Sequence, residues 1–446
     1  MESLIVGVSG VRGVVGEGLT PEVVVRFGAA FGTYLAGGRV VVGRDSRRSG
    51  QMMRDALVAG LVSTGCDVTD VGVVPTPTIQ LAVEELETSG GVAITASHNP
   101  VEWNALKFIG AGGAFLSAGE GARLLDLYRA GTTQRVGWGD IGSITADRSA
   151  VDRHIERVLG LSVIDVDRIR ERQYGVAIDC CNGGASIAFP QLLRSLGCAV
   201  VELNCEPSGL FPRDPEPVPR NLSELSQAVR KVQADVGFAT DADGDRLSIV
   251  SNSGKPLGEE ASLALAVSYV LAIRPGPVVA NVSTSRAIDD IAARFGQPVI
   301  RSKVGEAHVV RAMRDSKAVI GGEGNGGVIF PELHYARDGM VGMAFVLASL
   351  AGQGVSVDEL AGGLPRYHIV KESARATSAT QDELTDIARS AFPDGSYDLT
   401  DGVKVMWENR WVHIRVSGTE PIVRIIAEAP EEEEASRMCS VVKERL

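Results

Sequence analysis

The sequence lacks the cationic excess that a nonspecific nucleic-acid binder needs. Its 446 residues carry 44 Lys and Arg against 56 Asp and Glu, for a formal net charge of −12. Nonspecific binding to nucleic acid depends on a basic surface that neutralises backbone phosphates, so this class of partner is excluded. An anionic small molecule stays compatible with the charge, because Arg and Lys can be concentrated in one cleft.

The chain also lacks long hydrophobic runs. It contains no stretch of about 18 apolar residues, which predicts no membrane span. The N-terminal residues MESLIVGVSGVRG have neither a basic n-region nor a long apolar core, so we expect no secretory signal and a cytoplasmic protein. The six cysteines form no CxxC pair, which argues against a cysteine zinc site and predicts reduced, mostly buried thiols.

Strand-like apolar runs alternate with helix-like amphipathic runs along most of the chain. This rhythm predicts α/β layering with mixed sheets. It restarts at YGVAIDCCNGGAS and at GPVVANVSTSRAI, whereas the C-terminal part is typical of three strands followed by one helix. We therefore predict three related α/β domains and a smaller C-terminal α+β domain around a central cleft, with the ranges 1–153, 154–255, 256–367 and 368–446.

A serine beside a histidine ends one predicted strand, in GGVAITASHNP. Ser97 and His98 raise the hypothesis of a hydrolase nucleophile. Consecutive strand residues point to opposite faces, so an extended backbone would keep His98 from activating Ser97. The sequence cannot place another histidine beside Ser97, and the G-x-S-x-G elbow of α/β-hydrolases is absent here. The alternative is a plain turn in which Ser97 and Asn99 bond local backbone.

Three carboxylates alternate directly after another apolar strand, in ATDADGDR. Clustered like charges are costly unless a hard cation with oxygen ligands joins them, and three carboxylates leave positions that Mg²⁺ fills with water or phosphate oxygens. An EF-hand is excluded, because its sixth position is Arg246 and its twelfth is Asn252. Arg246 either balances the charge or contacts a phosphate. A solvated acidic turn is the alternative reading of Asp241, Asp243 and Asp245.

A glycine-rich turn, GGEGNGG, holds Glu323 and Asn325. A carboxylate and an amide on such a turn can accept from and donate to adjacent sugar hydroxyls, and glycine permits close approach of the ligand. A glycine turn with no ligand is the alternative.

The motif RVSGTEP separates two predicted strands near the C-terminus. Guanidinium groups and hydroxyls around a glycine turn can hold phosphate oxygens, because the planar Arg fork binds them in pairs. An unliganded hairpin is the alternative. We call this set the phosphate cradle: Arg415, Ser417, Gly418, Thr419 and Arg424.

The four motifs TASHNP, DADGDR, GEGNG and RVSGTEP follow each other in this order. In them, and over essentially its whole length, the chain resembles the α-D-phosphohexomutases, the family of phosphoglucomutase, phosphomannomutase and phosphoglucosamine mutase. The resemblance implies four domains that each supply one loop to a central cleft. It implies an isomerase that moves phosphate between C6 and C1 of a hexose phosphate through a phosphoserine and a hexose 1,6-bisphosphate, which is both intermediate and activator.

The resemblance also implies roles for single residues. Ser97 would carry a phosphoryl group and, with the three aspartates, hold one Mg²⁺ per chain. Glu323 and Asn325 would contact sugar hydroxyls, and the phosphate cradle would grip the unreacting phosphate. The remaining candidates are Arg12 beside the phosphoserine, Lys107 or more weakly His308 for acid–base work, and His98 for shaping the loop or touching phosphate.

Within the family, the sequence of a single loop indicates which hexose phosphate is the substrate. SGTEP is more like phosphoglucosamine mutases than the SNTEP of many phosphomannomutases and phosphoglucomutases, so glucosamine phosphate is expected first and glucose or mannose phosphate second. Asn325 departs from the Ser of many relatives, and Ala105 from a usual Gly. A metal-dependent phosphatase and a sugar-phosphate sensor are remoter alternatives. The sequence does not indicate an oligomeric state.

Overall fold

The computed structural model describes residues 4–7, 10–375, 380–417 and 422–446. Four β-sheets follow one another along these residues, and each collects the strands of one contiguous stretch. The first three are mixed sheets accompanied by helices, and the fourth is antiparallel. Three α/β units and a C-terminal α+β unit are thus confirmed. The boundaries at 153, 255 and 367 stay predictions, and the first of them falls within a helix, Ala150–Leu159.

The first unit is built on a seven-stranded sheet of order β1-β2-β6-β5-β3-β4-β7. Its central strands are nearly continuous apolar runs, as expected for parallel strands covered on both faces. The strands are β1 (Leu4–Gly7), β2 (Gly10–Val14), β3 (Gly38–Arg44), β4 (Cys66–Val73), β5 (Gly90–Ile94), β6 (Trp103–Gly110) and β7 (Ile144–Ala146). The helices are α1 (Pro21–Tyr34), α2 (Gly50–Val62), α3 (Thr76–Glu85) and α4 (Ala118–Ala130), with a 3₁₀ turn at Trp138–Asp140.

The second unit has a four-stranded sheet of order β11-β10-β8-β9. The strands are β8 (Gly175–Asp179), β9 (Ala199–Leu203), β10 (Val236–Thr240) and β11 (Leu247–Val250). The helices are α5 (Ala150–Leu159), α6 (Val166–Arg172), α7 (Ala188–Ser195) and α8 (Ser223–Val232), with a 3₁₀ turn at Pro219–Asn221.

The third unit repeats this plan, with order β13-β12-β14-β15. The strands are β12 (Val278–Asn281), β13 (Val299–Ser302), β14 (Ile320–Glu323) and β15 (Gly327–Ile329). The helices are α9 (Glu260–Ile273), α10 (Ala287–Arg294), α11 (Glu306–Ser316), α12 (Gly339–Gln353) and α13 (Val357–Gly362). One hydrophobic core, from Ile155 to Val357, runs through the second and third units.

The C-terminal unit is a five-stranded antiparallel sheet of order β16-β20-β19-β18-β17. Its strands are β16 (His368–Arg375), β17 (Ser396–Asp398), β18 (Val403–Met406), β19 (Trp411–Val416) and β20 (Ile422–Ala429), with helices α14 (Gln381–Ala391) and α15 (Glu432–Lys443). It has a hydrophobic core of its own. This independence fits the different pattern of the C-terminal sequence.

The first three units share one topological core. In each, a parallel strand pairs with the next strand on one side and with the first strand of an antiparallel hairpin on the other: β4-β3-β5-β6, β9-β8-β10-β11 and β13-β12-β14-β15. The hairpin turns are equivalent in the three units. They hold TASHNP, DADGDR and the glycine turn after Glu323. Ligands of α/β sheets gather at the carboxyl ends of the parallel strands, which is where these turns begin.

All six cysteines are free thiols, and five of them are buried. Over the ranges that the structure describes, we find no helix with both the length and the apolarity to cross a membrane.

Candidate active site

Ser97 lies against the aspartate turn of the second unit. The strand β5 ends at Ile94, and Ser97 has a left-handed backbone with φ of 51°. Its Oγ donates a hydrogen bond of 2.7 Å to Oδ2 of Asp241. The structure therefore brings together two groups that are 144 residues apart in the chain.

The backbone from Thr95 to His98 is not extended, so the argument from strand geometry does not apply to it. Because Ser97 is left-handed, the imidazole of His98 turns back, and its Nδ1 lies 3.3 Å from Ser97 Oγ. Strand geometry consequently does not separate this pair. The positive charge of Arg246, together with burial and Arg12, holds the pKa of His98 well below its usual range, so the ring is neutral at physiological pH.

The three aspartates have the free oxygens that a cation needs. Their side chains are at most 1% exposed, and one ligand oxygen from each lies within 4.8 Å of the others. Within the described part of the chain, Oδ1 of Asp243 and Oδ1 of Asp245 have no hydrogen-bond partner. Buried carboxylate oxygens without partners are costly, and a divalent cation removes that cost. The residues present therefore fit a Mg²⁺ ion.

The carboxylates of this turn repel each other, and this repulsion contributes to the pKa shifts of the aspartates. Burial and the neighbouring carboxylates raise the pKa of Asp241 well above its usual range. Burial acts in the same direction on Asp243, but the ammonium of Lys107 outweighs it and lowers the pKa of Asp243. Lys107 Nζ donates to Asp243 Oδ2 at 2.7 Å, and Thr76 Oγ1 donates to the same oxygen at 2.9 Å. Lys107 thus lies at the site as a partner of the aspartates.

Arg337 joins the aspartate turn to the glycine turn. Its guanidinium donates to Asp245 Oδ2 at 2.5 Å, to Glu323 Oε2 at 2.8 Å and to Glu306 Oε2 at 2.9 Å. Glu323 also accepts bonds from Asn281 and from the backbone of Gly305, so it is held rigidly at the site. Because Arg337 and these partners lower the pKa of Glu323 against the effect of burial, it is held as a carboxylate.

Two further candidates, Asn325 and His308, lie on or near this turn. Asn325 is half-buried, and its Oδ1 accepts from the backbone of Gly327. His308 is half-buried on the first turn of α11, two residues beyond Glu306. Residues two apart on a helix point away from each other, so Glu306 faces Arg337 and His308 does not join this cluster. Gln80 also donates to Glu306.

Two arginines stand opposite each other on the C-terminal sheet. Arg415 on β19 and Arg424 on β20 are directly paired in register and so share one face. Like charges directly opposite are unfavourable unless an anion joins them. Burial and the charge of Arg424 lower the pKa of Arg415, against the effect of Asp401. Ser417 is buried beside them, and Gly418 and Thr419 lie outside the described residues.

A cleft of about 1010 Å³ connects the serine turn with the C-terminal sheet. Arg12, His98 and Asn99 line one wall, and Ser373 and Arg424 line the other. Arg12 also donates to Asn99 Oδ1 at 2.6 Å. Arg246 lies 3.9 Å from Asp241 and 3.7 Å from Glu216, and Glu216 also lines the cleft. The cleft is large enough for a drug-sized ligand.

A second cluster of metal-ligating residue types, His154, His334 and Asp338, is hydrogen-bonded within itself, although Nδ1 of His334 has no partner among the described residues. His154 and His334 lie 2.7 and 2.9 Å from Oδ2 of Asp338, whose Oδ1 accepts from the backbone at the start of α12. The other nitrogen of the His154 ring bonds Thr78 at 2.9 Å. Every oxygen position of Asp338 is used, unlike those of the aspartate turn. We therefore interpret this cluster as a contact that joins the first three units.

Arg47, Glu306 and Arg337 are site residues that the motif analysis missed. Arg47 follows strand β3, and Arg337 precedes helix α12. A signal existed for Arg47, because RDSRR directly follows an apolar strand that would end at the same sheet edge as TASHNP. No local pattern marks Glu306 or Arg337, since their partners come from distant segments.

The chain is similar to one protein family and to individual known proteins over almost its whole length. Four models match: phosphoglucomutase/phosphomannomutase alpha/beta/alpha domain I over residues 3–135, domain II over 152–254, domain III over 258–367 and the C-terminal domain over 369–445. It is 40% identical to a probable phosphoglucosamine mutase of Methanopyrus kandleri, covering 97% of this chain and 95% of that protein. It is also 40% identical to a phosphoglucomutase/phosphomannomutase of Thermococcus kodakarensis, covering 96% and 95%.

A solved structure from Burkholderia thailandensis, of a phosphoglucomutase/phosphomannomutase family protein, is similar throughout. The TM-score is 0.87 at 28% identity, covering 99% of this chain and 96% of that one. The chain belongs to the phosphoglucomutase/phosphomannomutase family. It is accordingly an enzyme of the phosphohexomutase class, an intramolecular phosphotransferase.

Proposed function

We propose that Ser97 is the phosphoryl carrier of this enzyme and that hexose 1,6-bisphosphate is its intermediate. The observation that carries the proposal is the position of Ser97 Oγ, 2.7 Å from Asp241 and next to a cleft whose far wall bears Arg424. A sugar phosphate spans such a cleft with one phosphate on the arginine face and a hydroxyl at the serine turn. The net reaction moves a phosphoryl group between O6 and O1 of the sugar.

The roles of the chain's own residues follow from their positions. Arg415 and Arg424, with Ser417, Gly418 and Thr419, hold the phosphate that does not react. Glu323 and Asn325 orient the sugar hydroxyls, and Arg12 and Arg246 balance the charge of the phosphoserine. A Mg²⁺ held by Ser97 and the three aspartates would draw negative charge from the transferring group.

His98 is our first candidate for proton exchange with the reacting hydroxyl. It lines the cleft, and its Nδ1 lies 3.3 Å from Ser97 Oγ, so its ring is beside the oxygen that exchanges the phosphoryl group. Lys107, which already donates to Asp243, is better suited to neutralising the aspartate turn. His308 lies outside the cluster around Arg337, which leaves it without support in this role.

Glucosamine phosphate is the substrate that we propose first, with glucose and mannose phosphates second. The support is the SGTEP motif, whose Gly418 is outside the described residues, and the relative from Methanopyrus kandleri. The equally similar relative from Thermococcus kodakarensis is a phosphoglucomutase/phosphomannomutase, which favours glucose or mannose phosphate. Comparison of kcat/KM on the three 1-phosphates under identical conditions decides between them. The free thiols support a cytoplasmic location, which cell fractionation would test.

Intact-mass measurement of the purified enzyme tests the carrier. We expect one phosphate, about 80 Da, on the active enzyme, and we expect hexose 1,6-bisphosphate to restore it to enzyme that lacks it. Ser97→Ala should carry none and should have no mutase activity, because the attacking and leaving oxygen is removed. Normal turnover by Ser97→Ala would overturn the proposal. Release of inorganic phosphate without isomer formation would favour the phosphatase.

A further inference from the structure

Arg47 lies beneath the serine turn and is completely enclosed. It follows strand β3, and its residue exposure is 1%. The ring of Phe211, from the second unit, covers its guanidinium at 4.9 Å from the ring centre. The charge is balanced by Asp45, whose Oδ2 lies 3.0 Å from Arg47 Nε. Arg47 is therefore shielded from the cleft and does not touch a substrate there.

All five guanidinium hydrogens of Arg47 have an acceptor. Nη2 donates to the carbonyl oxygens of Ser97 and Asn99, both at 2.7 Å. Nη1 donates to those of Pro100, at 2.6 Å, and Trp103, at 3.1 Å, and Nε donates to Asp45. Four of the five acceptors are thus main-chain carbonyls of the serine turn and its continuation. Only Arg has five donors in a rigid planar fork, so Lys cannot reproduce this arrangement.

Asp45 and Thr95 hold the other side of the same turn. They directly follow β3 and β5, which are parallel neighbours. Thr95 Oγ1 donates to Asp45 Oδ2 at 2.7 Å, and the backbone N–H of Ser97 donates to Thr95 Oγ1 at 2.9 Å. The Ser97 peptide is consequently held at its N–H through Thr95 and at its carbonyl by Arg47.

This double hold explains the conformation of Ser97. A left-handed backbone costs a non-glycine residue of the order of 1 kcal/mol or more, and such residues persist only when their surroundings determine them. The carbonyls of Ser97, Asn99 and Pro100 converge on one guanidinium, which an extended segment cannot do because successive carbonyls alternate in direction. In this conformation the Oγ points at Asp241.

We propose that Arg47 is the positioning residue of the phosphoryl-carrying serine, setting the left-handed turn that aims Ser97 Oγ at Asp241. This inference rests on the proposed function of Ser97. Misplacing a reacting atom by about 1 Å costs on the order of 100-fold in rate. The phosphate cradle and the glycine turn belong to other segments, so their affinity for sugar phosphate does not depend on Arg47.

Arg47→Lys tests the proposal, because it keeps the charge and removes the fork. We expect kcat to fall about 100-fold while the KM for sugar phosphate stays within about threefold. The rate at which hexose 1,6-bisphosphate phosphorylates Ser97, followed by intact mass, should fall with kcat. All rates are corrected for the folded fraction by circular dichroism, so that a loss of folded protein alone does not mimic the result.

Thr95→Val is a second variant that keeps the shape of the side chain and removes its hydroxyl. It should also lower kcat, but by a smaller factor than Arg47→Lys does. If Arg47→Lys does not fold, Thr95→Val is used to test the proposal instead. Arg54→Lys is the matched control, because Arg54 on helix α2 pairs with Asp55 and Asp70, neither of which belongs to the serine turn. It should have normal kcat and KM.

The outcomes separate the two proposals. A folded Arg47→Lys or Thr95→Val with normal kcat overturns the role of Arg47, provided that Ser97→Ala is inactive. Equal activity of wild type and Ser97→Ala overturns the proposed function itself. A rise in KM that matches the loss of kcat/KM, with kcat unchanged, also contradicts positioning, since it would place Arg47 in substrate binding.

Discussion

Asp241, Asp243 and Asp245 lie in one turn, and each has an oxygen near the same point. Lys107, Arg246 and Arg337 surround them but leave two oxygens without hydrogen-bond partners among the described residues. A cation is the simplest chemical partner for that arrangement.

Asp243→Asn should lower Mg²⁺ affinity at least about tenfold and reduce kcat strongly, because it removes one of three charges at nearly constant shape. Isothermal titration with Mg²⁺ and turnover measurements would show it. The control is Asp147→Asn, at a carboxylate paired with Arg153 on the first unit, which should leave Mg²⁺ binding unchanged. Full turnover of chelated wild-type enzyme would contradict the metal site.

The buried carboxyl group of Glu260 makes the stability of the folded protein depend on pH. Burial raises its pKa to about 8, against the effect of Lys371, and its Oε1 lacks a hydrogen-bond partner in the described structure. Between its usual pKa and about 8 the folded protein holds a proton that the unfolded chain releases, so stability falls as pH rises through this window.

Glu260→Gln should remove that slope. The difference in Tm between the variant and wild type should grow in favour of the variant from pH 5 to pH 8. Gln can still accept the hydrogen bond that the backbone of Ser285 donates to Glu260. Thermal unfolding followed at several pH values measures it, and a Tm difference that is constant with pH would show that Glu260 does not titrate in this range.

At the scale of elements, three equivalent hairpins place Ser97, the three aspartates and Glu323 at the ends of their parallel strands. The turn after Glu323 also packs on the second unit, since the backbone N–H of Leu247 donates to the carbonyl of Gly326 at 3.0 Å. Gly326 has φ of 90°, and a Cβ there would lie 2.4 Å from the carbonyl oxygen of Leu247.

Gly326→Ala should therefore displace the glycine turn from the aspartate turn. We expect a higher KM for sugar phosphate and a loss of stability of about 2 kcal/mol, from the positive φ and the clash. Gly352→Ala is the control, because this residue of α12 has nothing within 4 Å of a new Cβ and should gain about 0.5 to 1 kcal/mol. Steady-state kinetics and chemical unfolding measure both, and an unchanged KM in Gly326→Ala would refute the coupling of the turns.

At the scale of the whole molecule, Asp338 connects the first three units. Thr78 of the first unit bonds His154 of the second, and His154 bonds Asp338 of the third. Burial opposes the ionisation of Asp338, but His154 and His334 hold its pKa well below the usual range.

Asp338→Ala should lower stability by about 3 kcal/mol, since it takes the carboxylate away from two buried imidazoles, of which His154 keeps its bond to Thr78, and removes the cap of α12. In wild type, a carboxylate with a depressed pKa contributes stability above the unfolded pKa, near 4, and loses it as pH falls further. The variant should therefore unfold with a weaker acid dependence below pH 4. Ser356→Ala, which removes only the cap of α13, should cost about 1 kcal/mol. Equal losses in both variants, measured by urea unfolding, would argue against a special role for Asp338.

The sequence alone determined which segments form strands and helices, and which polar residues follow the strands. Alternating apolar runs encode strands and helices locally, so the three α/β units, the C-terminal unit and the four polar motifs were readable without coordinates. Three aspartates within one turn also indicate a cation site from the sequence alone, because their like charges repel unless a cation joins them. These features depend on neighbours in the chain, and the chain order displays them directly.

Only the tertiary structure decided which distant groups meet. It placed Ser97 on Asp241 and turned His98 toward Ser97 through a left-handed backbone. It also showed that Arg47 and Arg337, which the motif analysis did not single out, donate hydrogen bonds to the serine turn and to the aspartate and glycine turns. The physical reason is that hydrogen bonds and charge pairs act through space over about 3 Å, whereas the sequence orders residues only along the chain.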